Sequence, residues 1–306
     1  RPRREAVPRP HLLARTLELA IDARLVLVQA PAGFGKTTLL VQLAAALAAT
    51  PGSEVVWVSL DAEDNGPSRL FAALFGALGA LDLPWTVPPD TVLAQLHDAS
   101  PAARTALGLL IDALGGRPEV RIALMLDDLH HVTDPAALQL LDTLIARAPP
   151  ELRLFIGSRV APSLSLARWR AGGELVELSL EDLRFDLDAA HELCRLRGLR
   201  TPSDEALQGV LTRTHGWVAG LHLMLGSTRG DASLPMLAEP AAHRHLFDYF
   251  AQEVLAELPA PLQQFVLHSS VLPELSPVLC EAVTGRGDAL AVLDTLYRET
   301  GDSKYR

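Results

Sequence analysis

The sequence predicts an α/β protein, a parallel sheet carrying a phosphate-binding loop and then an all-helical second half. Three observations predict it. Apolar, β-branched runs alternate with helical patterns as far as about residue 180, which is the signature of βαβ units and a parallel sheet. Beyond that point every patterned segment has helical periodicity. Between the first run and the first of these helices stands Ala30-x-x-x-x-Gly35-Lys36-Thr37, the P-loop pattern with alanine in its first place.

The loop has a physical logic. Gly33 and Gly35 let the backbone curl so that successive N–H groups face a polyphosphate, and the helix that follows adds its positive N-terminal end. Lys36 brings a point charge to the β- and γ-phosphates, and the Thr37 hydroxyl is a ligand for Mg²⁺. The expected nucleotide contacts are Pro31, Ala32, Gly33, Phe34, Gly35, Lys36, Thr37 and Thr38.

The elements follow in order. Residues 24–30 read as the first strand and 36–49 as a helix with Leu39, Leu40, Leu43 and Leu47 on one face, stopped by Pro51 and Gly52. A second strand covers 54–60 and an amphipathic helix 67–82. Proline-rich residues 83–100 read as irregular with one short helix, and 101–115 as helix. The third strand, 120–128, closes on two acids. Asp134 and Pro135 open the helix 135–147. The fourth strand is 152–159 and the fifth 174–180. Helices are then expected at 186–197, 203–214, 217–227, 240–257, 260–269, 276–284 and 287–297. Domain boundaries fall near 183 and, more softly, at the linker-like stretch 230–235. The expected domains are thus 1–182 (nucleotide-binding), 183–232 (small, helical) and a third helical domain, 233–306.

Composition narrows the function. The chain has 306 residues, 49% hydrophobic, and a formal net charge of −10. It can bury a large core, but it lacks the basic surface that phosphate backbones demand. Cys194 and Cys280 lack partner spacing and read as buried thiols of a reducing, cytoplasmic setting. No apolar run reaches membrane-spanning length, so no membrane partner is expected. A chain that opens on Arg1 reads as a piece of a longer protein. Five arginines crowd the head, namely Arg1, Arg3, Arg4, Arg9 and Arg15. They read as a solvated leader; the alternative lays residues 7–15, Arg9 among them, over the adenine.

The P-loop needs a metal partner across the sheet, and Asp127-Asp128 ends a strand as such a partner should. Asp127 would hold Mg²⁺ with Thr37, and Asp128 would orient or deprotonate the attacking water. Arg159, at the end of the fourth strand, would report the γ-phosphate, or is a plain surface arginine. His130 and His131 invite a zinc reading, but adjacent residues rarely converge on one metal. A polar loop role remains, one of the pair sensing the phosphate end, and nothing in the sequence chooses which.

Six segments occur in one order: Ala30 through Leu39, Trp57-Val58-Ser59-Leu60-Asp61, Leu126 through Val132, Gly157-Ser158-Arg159, Leu183-Arg184-Phe185, and His215-Gly216-Trp217-Val218-Ala219-Gly220-Leu221. That order resembles the ATPase module of MalT-like regulators, the large ATP-binding LuxR-type activators among the STAND ATPases, cousins of NACHT proteins. The resemblance implies a sheet of order 5-1-4-3-2, a small helical domain, and a winged helix. It implies ATP/ADP and Mg²⁺ as cofactors, a closed ADP state, self-association with ATP, and slow hydrolysis. DNA binding would come only through a C-terminal domain outside this chain. Lys36, Thr37 and Thr38 would contact phosphate and metal, Asp127 and Asp128 would be the acid pair, and Arg159 the sensor. The chain departs from relatives in having Gly216-Trp217-Val218 where Gly-x-Pro is frequent. It also reaches only Lys304-Tyr305-Arg306 where a histidine-bearing strand of the winged helix would begin. The helix 217–227 reads as core packing, and Trp57 and Asp61 as strand core and loop cap. Two other classes stay open: a P-loop phosphotransferase, and a nucleotide-binding scaffold without turnover.

Overall fold

The computed structural model describes residues 6–94, 101–199, 202–226, 255, 258–272 and 274–300. The expected helix 240–257, the linker 230–235 and residues 304–306 lie outside the described residues, apart from residue 255. The chain divides into two compact units. One is formed chiefly by residues 9–29 and 36–179, the other by 30–35 and 180 onward, with a short stretch ending at Pro8.

The first unit is the sheet. Five parallel strands, β1 (Leu25–Gln29), β2 (Ser53–Ser59), β3 (Arg121–Asp127), β4 (Leu152–Ser158) and β5 (Leu175–Leu178), pair in the order β2-β3-β4-β1-β5. That is the implied order read from the other edge. The inner strands are buried along nearly their whole length: β1, β3 and β4 carry Leu25, Leu27, Leu124, Leu126, Leu154 and Ile156 at 0–1% exposure. Near-continuous apolar runs are what a parallel sheet covered on both faces requires.

Helices α1 (Pro10–Leu19), α2 (Lys36–Ala48), α3 (Pro67–Leu78), α4 (Pro89–Leu93), α5 (Pro101–Gly115), α6 (Pro135–Arg147) and α7 (Leu166–Ala171) complete this unit. α6 starts as expected: the Asp134 carboxylate accepts the amides of Ala136 (2.8 Å) and Ala137 (2.9 Å). Asp61 caps a short 3₁₀ turn, Ala62–Asp64, by accepting the amide of Glu63 at 2.8 Å. α1 corrects the sequence reading. Residues 10–19 are helix rather than leader, and Thr16 on α1 is fully buried. Arg9 caps it, its own amide donating to Gln42 Oε1 at 3.3 Å.

The second unit is helical: α8 (Leu180–Leu183), α9 (Leu187–Leu196), α10 (Asp204–Thr214), α11 (Val218–Gly226), α12 (Ala260–Ser269), α13 (Pro277–Thr284) and α14 (Ala289–Thr300). Val7, Leu193, Cys194, Leu207 and Leu221 make one apolar cluster; Phe265, Cys280, Ala289 and Leu293 make another. Both cysteines are buried free thiols, and burial pushes both up from their usual range.

Candidate nucleotide site

Parallel strands place their functional residues at their C-terminal ends. Here those ends carry the loop after β1, Asp127 and Asp128 after β3, and Arg159 after β4. The register lines them up, since Gln29 pairs with Ser158, Ser59 with Asp127 and Leu126 with Ile156.

The loop 30–35 turns through Gly33 (φ 79°) and Gly35 (φ 87°), left-handed positions where a side chain would strain the backbone. A loop whose amides face an anion must turn its carbonyls elsewhere, and these have partners. The Trp217 indole N–H donates to the Ala32 carbonyl at 3.0 Å. The Ala219 amide donates to the Gly33 carbonyl at 2.9 Å. The Phe34 ring sits 6.5 Å from that of Trp217. Core packing, the reading given to this helix, holds for Leu221, Met224 and Leu225. It misses the job of its first turn, and the missed signal was Trp217 itself, whose N–H needs a partner when buried.

Lys36 opens α2 and is 6% exposed. Burial, then the nearby charge of Arg159, lowers its pKa to about 8, against the opposing pull of Asp128 and Asp127. Asp127 is 3% exposed. Burial raises its pKa, and the hydrogen bond from the Thr37 side chain offsets part of that rise. A hydroxyl bonded to a buried carboxylate is a hard-oxygen pair suited to Mg²⁺. Among the described residues no three His, Cys, Asp or Glu side chains form a metal cluster of their own. A magnesium ion would therefore complete its shell from nucleotide and water.

Two features around the Asp127 carboxylate were not legible beforehand. Asp128 sits in the left-handed region (φ 59°, ψ 38°), uncommon for a residue with a side chain, and its amide donates to Asp127 Oδ1 at 3.1 Å. Gly157 is the second: a Cβ there would come within 2.8 Å of Asp127 Oδ1 and 2.9 Å of Leu40 Cδ1. The buried carboxylate occupies the space of the missing methyl. The tandem histidines stack at 4.3 Å. Arg159 is half-buried and close enough to lower both Lys36 and His130. Trp57 differs from the strand-core reading. It is half-buried, donates to Ser59 Oγ at 2.9 Å, and lines an open cavity of about 570 Å³ with Val41, Ala44, Thr37 and Asp127.

Comparison with known proteins follows the same division. Residues 20–158 match the AAA domain family, and residues 251–301 the MalT winged helix domain. The HTH-type transcriptional regulator MalT of Yersinia pestis (strain Pestoides F) is 31% identical over 302 residues, 96% of this chain and 32% of that protein. The serine/threonine-protein kinase PknK of Mycobacterium tuberculosis (strain CDC 1551 / Oshkosh) is 31% identical over 299 residues, 95% of this chain and 26% of that protein. The chain thus spans about a third or less of these relatives. Among solved structures, the Walker-type ATPase PABY2304 of Pyrococcus abyssi superposes with a TM-score of 0.62 at 15% identity, covering 98% of this chain and 92% of that one. Cdc6p of Pyrobaculum aerophilum reaches 0.50 at 14% identity, covering 96% and 86%. These likenesses show a P-loop NTPase fold.

Proposed function

We propose, from the premise that the chain belongs to the MalT-like P-loop regulators, that it is a cytoplasmic switch module that binds ATP and ADP and hydrolyses ATP slowly. The observation that supports this most directly is the pairing of the Thr37 hydroxyl with the buried Asp127 carboxylate next to a buried Lys36. Such a set is costly to bury unless a charged ligand completes it.

Each residue has a task in this reading. The amides of residues 32–38 cradle the phosphates, and Lys36 neutralises the β- and γ-oxygens. Arg9 lies toward the base. Thr37 and Asp127 would hold Mg²⁺, which would lower the charge of the β- and γ-oxygens. Asp128 orients the attacking water and accepts its proton. The water oxygen bonds to the γ-phosphorus while the bond to the β–γ bridging oxygen breaks, and ADP departs with the electron pair. Arg159 contacts the γ-phosphate and distinguishes ATP from ADP. The ATP form self-associates, and DNA is reached through another domain of a longer protein.

The test is nucleotide content and turnover. The purified chain, heat-denatured, should release ADP; Lys36→Ala should release none, and Asp128→Asn should retain binding while losing phosphate release. A wild-type chain that binds neither ADP nor Mg-ATP at millimolar concentration overturns the proposal.

A further inference from the structure

The turn after β3 holds a group that the roles above leave unused. The chain leaves Asp127 through the left-handed Asp128 and enters the 3₁₀ turn Leu129–His131. The turn is anchored on both sides of His130, because Leu129 and Val132 are 0% and 3% exposed. The amides of His131 and Val132 also close it onto Asp128 O (3.1 Å) and Leu129 O (2.9 Å). The His130 ring is thereby fixed with 10% of its surface exposed, and neither ring nitrogen has a hydrogen-bond partner among the described residues.

A leucine or phenylalanine would fill that space without stranding two nitrogens. Buried polar atoms in native proteins have partners, and a stranded one calls for a reason. The nearest candidate is Asp128, whose carboxylate Oδ1 lies 3.8 Å from His130 Nδ1. Among the described residues no other side chain hydrogen-bonds to the Asp128 carboxylate, whose charge also acts on Lys36 at longer range; it is 38% exposed and sits on a left-handed backbone. The acid assigned to the attacking water thus has no hydrogen bond to hold its carboxylate among the described residues. The buried imidazole is the ring closest at hand, beyond hydrogen-bond length by less than an ångström.

We propose that His130 is the positioning residue for Asp128. When ATP is bound, its Nδ1–H donates to the Asp128 carboxylate and fixes the oxygen that receives the proton of the attacking water. His130 itself exchanges no proton. Burial, then the charges of His131, Arg159 and Lys36, hold its pKa near 3, so it is a neutral donor throughout. The bonds made and broken are those of hydrolysis alone: water oxygen to γ-phosphorus, γ-phosphorus from the bridging oxygen, and one proton from water to Asp128. The same carboxylate–imidazole pairing orients ligands and bases elsewhere, where losing the partner typically costs about 10- to 100-fold in activity.

This inference rests on the ATPase reading, and its test separates the two. His130→Phe keeps the volume and removes the donor; His130→Asn restores an N–H. Turnover should fall about 10- to 100-fold in His130→Phe, with KM for ATP and the affinity for ADP within about twofold of wild type, and recover in part in His130→Asn. Wild-type turnover in His130→Phe overturns the proposal. So does an equal loss of ADP affinity and turnover, which would mark a packing role. ADP binding that fails in the wild type as well would instead count against the nucleotide reading. If the wild type binds nucleotide without hydrolysing it, the ¹⁵N signals of the His130 ring decide. Added ADP, Mg²⁺ and aluminium fluoride should bring a hydrogen-bonded Nδ1 proton, and an unchanged ring overturns the proposal.

Discussion

The strand ends around Lys36 and the surface of the C-terminal helices put charge to opposite uses. At the strand ends, burial is the leading cause of every resolved shift and works against charge. It takes Lys36 down to about 8, Asp127 up, and His130 down to about 3. On the surface of the helical unit, Arg195 lies 2.6 Å from Glu192 and Arg286, in the turn between α13 and α14, lies 2.7 Å from Asp288, and hydrogen bonding leads. Both arginines move up and both acids down, each toward its charged form. The helix pairs have satisfied one another in water. At the strand ends burial outweighs the charge and hydrogen-bond partners that oppose it, and a polyphosphate with its metal would offset it. A site of this kind holds unfavourable electrostatics in reserve and releases it on binding.

The sharpest way to break that contrast is Gly157→Ala. The new methyl must displace either the Asp127 carboxylate or Leu40. Overpacking of this sort costs about 1–3 kcal/mol, and on the metal role proposed for Asp127 its displacement costs about 10- to 100-fold in Mg²⁺-dependent function. The stimulation of ATP binding by Mg²⁺ should largely vanish, while metal-free ADP binding through Lys36 and the loop persists. Full Mg²⁺ stimulation in a folded Gly157→Ala protein would mean that the position of Asp127 matters little.

Lys36 supplies the next effect, through pH. Its folded pKa of about 8 lies below the ordinary lysine value of 10.5. Between those limits the unfolded chain holds a proton that the folded one has released. The group therefore makes stability rise with pH across that window, and lowers stability most below it. Ligand affinity runs the other way. Phosphate favours the charged amine, so metal-free ADP affinity should be flat below about pH 8 and fall about tenfold per unit above it. Titration calorimetry in buffers of different ionisation enthalpy should detect uptake of about one proton per ADP near pH 9. A pH-independent affinity up to pH 10 would place the Lys36 pKa elsewhere.

The two regions were unequally legible in sequence. Lys36, Thr37 and the glycines form one short run whose strand-before, helix-after setting is visible in hydrophobic periodicity. The acid pair at the end of β3 needed only an apolar strand closing on two carboxylates, two strands further on. What stayed hidden depends on tertiary neighbours. The left-handed backbone at Asp128 belongs to no local pattern, although aspartate tolerates that region better than most side chains. The choice of His130 over His131 rests on burial that the flanking Leu129 and Val132 impose. Helix α1 was masked by its arginines, although Pro10 at its first turn was a start signal. The bond from Trp217 to Ala32 links residues 185 apart, a separation at which sequence spacing carries no geometric information.

Trp217→Phe tests that bond and ranks third. Ring volume and apolar contact survive, while the buried Ala32 carbonyl loses its donor. An unmet bond of this kind costs about 1 kcal/mol, so ADP should bind about fivefold more weakly, with the Ala219 bond to Gly33 still shaping the loop. Calorimetric affinity at fixed pH is the measurement. An unchanged affinity would show that the loop keeps its shape without the indole.

The smallest expected effect is Arg286→Gln, and its value lies in being small. The guanidinium makes two short bonds to Asp288, of 2.8 and 2.7 Å, and reaches the Pro261 carbonyl at 3.3 Å. Yet the Arg286 side chain is 33% exposed and that of Asp288 56%. Water and salt replace most of what the pair supplies, and two long side chains regain their freedom when it breaks. The midpoint of urea unfolding and the affinity for ADP should both match wild type within error, at low and at physiological salt. A loss of stability comparable to that of a core truncation would mean that the surface pairs carry load after all. The distinction between relaxed surface charge and strained site charge would then fail at the surface end.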